Sequence, residues 1–175
     1  AKTKFVDIEK DTNCLSASEL EKLLKIKKID LVVVIHFAGH SADMKKIYNL
    51  KKKYKFKIIE DACHALGGEY NKTKVGSCFY SDLSTFSFHP VKPITTGEGG
   101  MVVSNNKLLA DKVRSLRNLS FRSDRRFYHT EFGYNYRLTN MQAALGISQI
   151  KNIEKHVSIK RRNTKNYNKI LQDMS

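Results

Sequence analysis

Lys92 is the residue whose setting most suggests chemistry. It lies in Ser84-Thr-Phe-Ser-Phe-His-Pro-Val-Lys92-Pro-Ile-Thr-Thr-Gly-Glu-Gly-Gly-Met-Val-Val103. An apolar, β-prone run ends at His89 and a second begins at Met101, with a Pro, Gly and Thr loop between them. Pro93 disfavours a helical backbone at Lys92, so the lysine belongs on an irregular loop at a strand end. An amine held between buried strands can be desolvated, lose its proton and attack a carbonyl.

The carboxylate that would complete such chemistry lies 31 positions earlier (92 − 61). Phe56-Lys-Ile-Ile-Glu60-Asp61-Ala-Cys-His64 reads as a short apolar strand running into two acids. In an open parallel sheet, ligands bind beyond the carboxyl ends of the strands, where Asp61 is expected. A pyridoxal ring serves as an electron sink when its nitrogen stays protonated, and an adjacent carboxylate keeps it so. One loop lysine and one strand-end aspartate are therefore the minimum set for pyridoxal 5'-phosphate. Ser87, five residues before Lys92, is placed to bond the phosphate. His36 and His89 also end β-prone runs, and each reads either as a packing histidine or as a substrate contact. Gly97-Glu-Gly-Gly100 lacks the spacing of a phosphate cradle and reads as a tight turn with positive φ.

Three stretches carry a resemblance: Glu60-Asp61-Ala-Cys-His64-Ala-Leu-Gly, Ser87-Phe-His-Pro-Val-Lys92-Pro-Ile-Thr-Thr-Gly-Glu-Gly-Gly100, and Gly133-Tyr-Asn-Tyr-Arg137-Leu-Thr-Asn-Met-Gln-Ala-Ala-Leu-Gly146. In order and spacing they resemble the DegT/DnrJ/StrS nucleotide-sugar aminotransferases. The resemblance implies an aspartate-aminotransferase-like, type I large domain built on α/β architecture. It implies that Lys92 forms the internal aldimine and moves the proton, and that Asp61 pairs with the pyridinium nitrogen. His64 then contacts the cofactor near its ring oxygen, and Ser87 binds the phosphate. Asn135 reaches the cofactor of a neighbouring subunit, so a homodimer with shared active sites is expected. Relatives with histidine in place of the lysine are dehydratases; Lys92 therefore points to transamination. The implied substrates are L-glutamate and a nucleotide-linked keto sugar. His36 to Gly100 is similar to transaminases of the pseudaminic acid route, and Arg125 to Gly146 to GDP-perosamine synthases. Both groups aminate C4 of a 4-keto-6-deoxy sugar for surface polysaccharides or nonulosonic acids, with lipopolysaccharide among the expected destinations; a 3-keto substrate is the alternative. Members of the family begin before Ala1 and continue past Ser175, so the chain is expected to be a central piece. On that reading, residues 1–138 belong to the cofactor-binding domain. Residues 139–175 form a long helix leading toward a small C-terminal domain.

Composition excludes several other classes. The longest aliphatic run, Leu31 to Ile35, is far too short for a bilayer span, so no membrane partner is expected. The start lacks a signal-peptide pattern. Cys14, Cys63 and Cys78 are odd in number and widely spaced, which fits a reducing, cytoplasmic setting without disulfides or a metal site. The net charge of +15 raises nucleic acid as a partner. The lysines are scattered over polar positions of amphipathic patterns, however, and no nucleic-acid module is present. A basic binding protein with this fold is the non-enzymatic alternative.

The elements that must position these residues follow from periodicity. Phe5 to Ile8 reads as a strand. A helix follows with Ser16 or Ser18 as cap, running from Glu19 to Lys27. Ile29 to Phe37 is an apolar strand of the type buried on both faces. A helix from Ser41 to Tyr54 and a strand from Lys55 to Asp61 come next. This alternation predicts a mostly parallel sheet with helical crossovers. Leu83 to Phe88 and Met101 to Ser104 flank the lysine loop, the latter antiparallel by resemblance. Leu108 to Leu119 is helical. Asn118 to Thr130, with Arg122, Arg125 and Arg126, reads as a surface loop. Asn140 to about Leu171 reads as one helix capped by Thr139 or Asn140.

Overall fold

The computed structural model describes residues 1–122, 124–125 and 127–172; Arg126, assigned above to the surface loop, lies outside the described residues. The chain runs α1 (Ala17–Ile26), β1 (Leu31–Ile35), α2 (Met44–Tyr54), β2 (Lys57–Asp61), β3 (Glu69–Tyr70), β4 (Thr73–Lys74), β5 (Leu83–Ser87), β6 (Gly100–Val103), α3 (Lys107–Arg117), α4 (Asn140–Ile150) and α5 (Ile153–Leu171). Four strands form one sheet in the order β1-β2-β5-β6, and β3 with β4 make a separate hairpin.

Local chemistry sets the boundaries. The Ser16 hydroxyl accepts from Glu19 N at 3.4 Å and starts α1, supplying an acceptor to a first turn whose N–H donors lack one. Asp43 does the same for α2, accepting from Lys46 N at 3.2 Å. Lys55 ends α2 in the left-handed region, φ 61°. In α1 the apolar side chains recur at Ala17, Leu20 and Leu24, and these are its buried residues. They meet Val32 and Val34 of β1, Ile58 of β2, and Met44 and Ile47 of α2 in the main core. Each such side chain contributes about 1.5–3 kcal/mol by leaving water.

β1, β2 and β5 are parallel, with Ile35 opposite Asp61 and Asp61 opposite Thr85. β6 runs antiparallel to β5, with Ser87 opposite Gly100. The carboxyl ends of β2 and β5 therefore lie side by side. A helix joins β1 to β2, whereas β2 reaches β5 through the β3–β4 hairpin and irregular backbone.

Three expectations are corrected. Phe5 to Ile8 forms no strand; only Ile8 makes an isolated bridge, to Leu15, and Phe5 is exposed. β1 is apolar throughout but buried on one face only, with Leu31, Val33 and Ile35 about half exposed. The run from Asn140 is two helices, not one, because the backbone breaks at Lys151 and Asn152, where Asn152 adopts φ −104°, ψ 8°. Beyond the break α5 packs against Gly67, where an added Cβ would sit 2.7 Å from Val157 Cγ2. Among the described residues no helix is long and apolar enough to cross a membrane.

Candidate functional site

Adjacent residues of a strand point to opposite faces, and β2 uses this alternation at its end. Glu60 is buried beneath the sheet, while Asp61 is half-exposed at the strand end. Asp61 Oδ1 accepts from Cys63 N at 3.1 Å, a turn that directs the chain away from the sheet. The Cys63 thiol is pushed up to about 11, by burial first and then by the hydrogen bond and charge of Asp61; the Lys92 ammonium acts on it in the opposite sense. Asp61, Cys63 and Lys92 thus share one electrostatic neighbourhood, though they come from two strand ends.

Lys92 stands on the loop after β5, as its sequence setting implied. Its amide donates to His89 O at 3.0 Å, and its side chain is partly exposed. Among the described residues no carboxylate lies within ion-pair distance of its amine. The loop is braced throughout. Thr95 Oγ1 donates to Phe88 O at 2.9 Å, and Thr96 Oγ1 to Glu98 O at 2.7 Å. Thr96 N also donates to Phe88 O at 2.9 Å. The expected turn is present: Gly97 has φ +78° and Gly99 φ +153°. A Cβ at Gly99 would lie 2.5 Å from Thr96 Oγ1 and 2.9 Å from Leu138 Cδ2, so this position requires glycine on two counts.

The bracing continues into α4, which sequence reasoning missed. Gln149 Oε1 accepts from Thr95 N at 3.0 Å while its Nε2 donates to Thr95 O at 3.0 Å. Gln142 Nε2 donates to Glu98 O at 3.0 Å. Gly146 lies between these two glutamines, and a Cβ there would come within 2.9 Å of Thr96 Cγ2. Gln142 also closes the capping box with Thr139 that starts α4.

The other candidate residues separate into two groups. Ser87 ends β5; its hydroxyl oxygen accepts from His89 N at 3.3 Å, and among the described residues its O–H has no acceptor. His64 is exposed just beyond Asp61, and its Nδ1 accepts from Ala38 N at 3.3 Å. That bond leaves Nε2 as the proton-bearing nitrogen, a donor directed away from the Ala38 turn. The turn is unusual, with Ala38 at φ 50° and Gly39 at φ 90°. His89 is exposed beside Lys92, with Nδ1 accepting from Val91 N at 3.4 Å. Asn135 lies elsewhere, in an exposed segment bridged to Asn118 beyond α3, and its Oδ1 accepts from Arg137 Nε at 2.7 Å.

Of the two readings open for His36, the structure favours the packing histidine over the substrate contact. Its side chain is fully buried; Nε2 donates to Glu60 Oε2 at 2.9 Å, and Nδ1 accepts from Ala42 N at 3.2 Å. With both nitrogens engaged internally, nothing remains for a substrate. Glu60 Oε2 also accepts from Gly76 N at 3.3 Å, and Oε1 accepts from Ser81 Oγ and, at 3.4 Å, Ser84 Oγ. Burial works to raise the Glu60 pKa, but the bonds from His36, Ser81 and Gly76 outweigh it and hold the carboxyl below its ordinary range. The signal available in the sequence was the alternation itself, which sends Glu60 inward if Asp61 points out.

An amine, a carboxylate, a hydroxyl and an imidazole N–H thus gather at neighbouring strand ends. This donor set fits a phosphorylated aromatic aldehyde: the amine for the aldehyde, the carboxylate for a ring nitrogen, the hydroxyl for phosphate. Comparison with known proteins agrees. The chain is 46% identical over 173 residues to a UDP-4-amino-4,6-dideoxy-N-acetyl-beta-L-altrosamine transaminase of Campylobacter jejuni, covering 97% of the chain and 45% of that protein. It is 36% identical over 157 residues to a GDP-perosamine synthase of Vibrio cholerae, covering 90% of the chain and 42% of that protein. The structure superposes on the Helicobacter pylori aminotransferase PseC, involved in pseudoaminic acid biosynthesis, with a TM-score of 0.90 and 33% identity. That match covers 98% of this chain and 46% of that one. The chain therefore spans a little under half the length of these relatives, and its α/β fold is that of the aspartate-aminotransferase-like enzymes. A family model matches residues 1–175 throughout, and with the site and fold in agreement, the chain belongs to the DegT/DnrJ/EryC1/StrS aminotransferase family.

Proposed function

We propose that this chain supplies the cofactor-binding core of an aminotransferase that moves an amino group from L-glutamate to C4 of a nucleotide-linked 4-keto-6-deoxy sugar. The observation that carries the reading is the placement of Asp61 and Lys92 at neighbouring strand ends, with both acting on the Cys63 thiol. The two C4-aminating relatives named above support the choice of sugar position.

Pyridoxal 5'-phosphate, when bound, supplies the electron sink that stabilises negative charge at the carbon losing its proton. The chain's own residues do the rest. Lys92 Nζ would be the amine that holds the aldehyde and, once released from it, the base that would hold and move the proton. Asp61 keeps the ring nitrogen protonated. His64 donates from Nε2 toward the ring substituents, and Ser87 donates its O–H to the phosphate. His89, exposed beside Lys92, is placed to meet substrate. Asn135, exposed on a segment bridged to Asn118, serves the site of a second subunit, and the working unit is a homodimer; its setting is the cytoplasm. The sugar product feeds surface polysaccharide or lipopolysaccharide assembly.

The test is borohydride reduction of the full-length protein after addition of pyridoxal phosphate, followed by peptide mapping. A visible absorbance band and a reduced adduct at Lys92 are expected. Labelling scattered over surface lysines, without the band, would refute the reading.

A further inference from the structure

We infer that Gln149 is a positioning residue for Lys92: its amide clasps both backbone groups of Thr95 and thereby fixes the loop that presents the catalytic amine. The inference rests on the role proposed above for Lys92.

The geometry is specific. A primary amide that accepts from an N–H and donates to the C=O of the same residue makes a paired contact in a single plane, and it holds that peptide segment against rotation. Both distances are 3.0 Å. Thr95 is three residues from Lys92 and lies on the same turn. On one side of it Ile94 is buried; on the other Thr96 is buried and touches the bare Gly146 of α4. Gln142, seven residues before Gln149 and so two helical turns away on the same face, holds Glu98 O further along the loop. The amides of α4 therefore grip the loop at Thr95 and Glu98, while Phe88 O anchors its start through Thr95 Oγ1 and Thr96 N. Lys92 lies within the span so fixed, where its direction is set by the loop and not by an ion pair of its own. An error of about 1 Å in the placement of a reacting group costs on the order of 100-fold in rate. The alternative use of Gln149, as an ordinary solvated helix residue, leaves the paired bonds to Thr95 without a purpose.

The test uses Gln149→Ala and Gln149→Glu in the full-length protein. The glutamate variant keeps the size and the acceptor for Thr95 N–H but loses the donor to Thr95 O, so it separates the clasp from simple packing. In the unloaded protein, hydrogen–deuterium exchange over residues 88–100 should rise about tenfold in both variants, with exchange in β1 and β2 unchanged. In the loaded protein, the single-turnover rate constant of the half-reaction with L-glutamate should fall about 10- to 100-fold while its half-saturating glutamate concentration changes less than about threefold. The circular dichroism of the bound cofactor should weaken, and borohydride should still map to Lys92. Unchanged exchange over 88–100 in both variants overturns the clasp. So does a half-reaction rate constant per bound cofactor within about twofold of the parent. If the parent itself gives no adduct at Lys92, the reading of Lys92 fails and the inference falls with it, and the exchange measurement shows separately whether the clasp exists.

Discussion

His36 Nε2 lies 2.9 Å from Glu60 Oε2, both side chains buried, at the end of β1 and in β2 directly behind Asp61. Because His36 Nδ1 accepts from Ala42 N, the proton sits on Nε2, and the Glu60 carboxylate accepts the hydrogen bond that Nε2–H donates. The Glu60 charge is further met by Ser81, Ser84 and Gly76. This is a fully satisfied buried network, the condition under which a buried carboxylate is tolerable. It backs the strand ends that carry the site.

Removing His36 takes one donor from the buried Glu60 carboxylate, which keeps Ser81, Ser84 and Gly76, and leaves a cavity where the ring was. His36→Ala is expected to cost about 1.5–3 kcal/mol of stability, measured by urea denaturation, with cofactor affinity preserved in the folded fraction. A variant with parental stability and a weakened substrate KM would restore His36 to the substrate site.

Acid should unfold the protein through the same carboxylate. Burial alone would raise Glu60, but its hydrogen bonds win and lower it; at Asp82, burial is likewise overcome by Lys51, Ile58 N and Lys57. A carboxyl depressed in the folded state contributes stability that is complete above its unfolded value, 4.5 for Glu60 and 3.8 for Asp82, and is lost as pH falls through the folded value. Stability should therefore be level from about pH 7 to 5 and decline below that. Glu60→Gln should flatten the decline, read as denaturation midpoints against pH.

Cys63 should be a slow thiol. With its pKa pushed up to about 11 by burial and by Asp61, little thiolate exists at pH 8, and thiolate is the reactive form. Alkylation followed by mass spectrometry should show the rate at Cys63 climbing through pH 10. Asp61→Asn should speed the reaction at pH 8, since it removes the hydrogen bond and charge that add to burial in raising the thiol. Bound cofactor should slow it in the parent protein.

Lys92→Ala and Asn135→Ala should each abolish turnover, the first by about 1,000-fold or more. If sites are shared, unfolding and refolding the two together should restore activity, because half of the random dimers then carry one intact site. Recovery to about a quarter of the parent is expected for a two-fold assembly. No recovery on mixing would place Asn135 in its own subunit's site or outside it.

The parallel strands and the lysine loop were legible because β-prone runs, Pro and Gly punctuate them sharply. Asp61 and Lys92 could be placed because strand ends in a parallel sheet converge by topology. The fate of His36 was not legible: a histidine ending a strand looks the same whether its nitrogens find Glu60 and Ala42 or a substrate. The break at Lys151 and Asn152 was hidden because Ile150, Ile153 and Val157 keep helical spacing across it. Gln142 and Gln149 carry nothing in their local sequence that sets them apart from solvated helix amides. Their spacing of seven marks a shared face, but only the fold shows that the face meets the lysine loop.

The clasp also imposes an order of events during synthesis. Gln149 lies 54 residues after Thr95, which at 5–20 residues per second is about 3–11 s of translation. Throughout that interval Lys92 has been made but its loop lacks the helix that shapes it. A nascent chain should therefore be unable to take up its aldehyde until α4 has docked, which confines capture of that reactive small molecule to a late stage of folding.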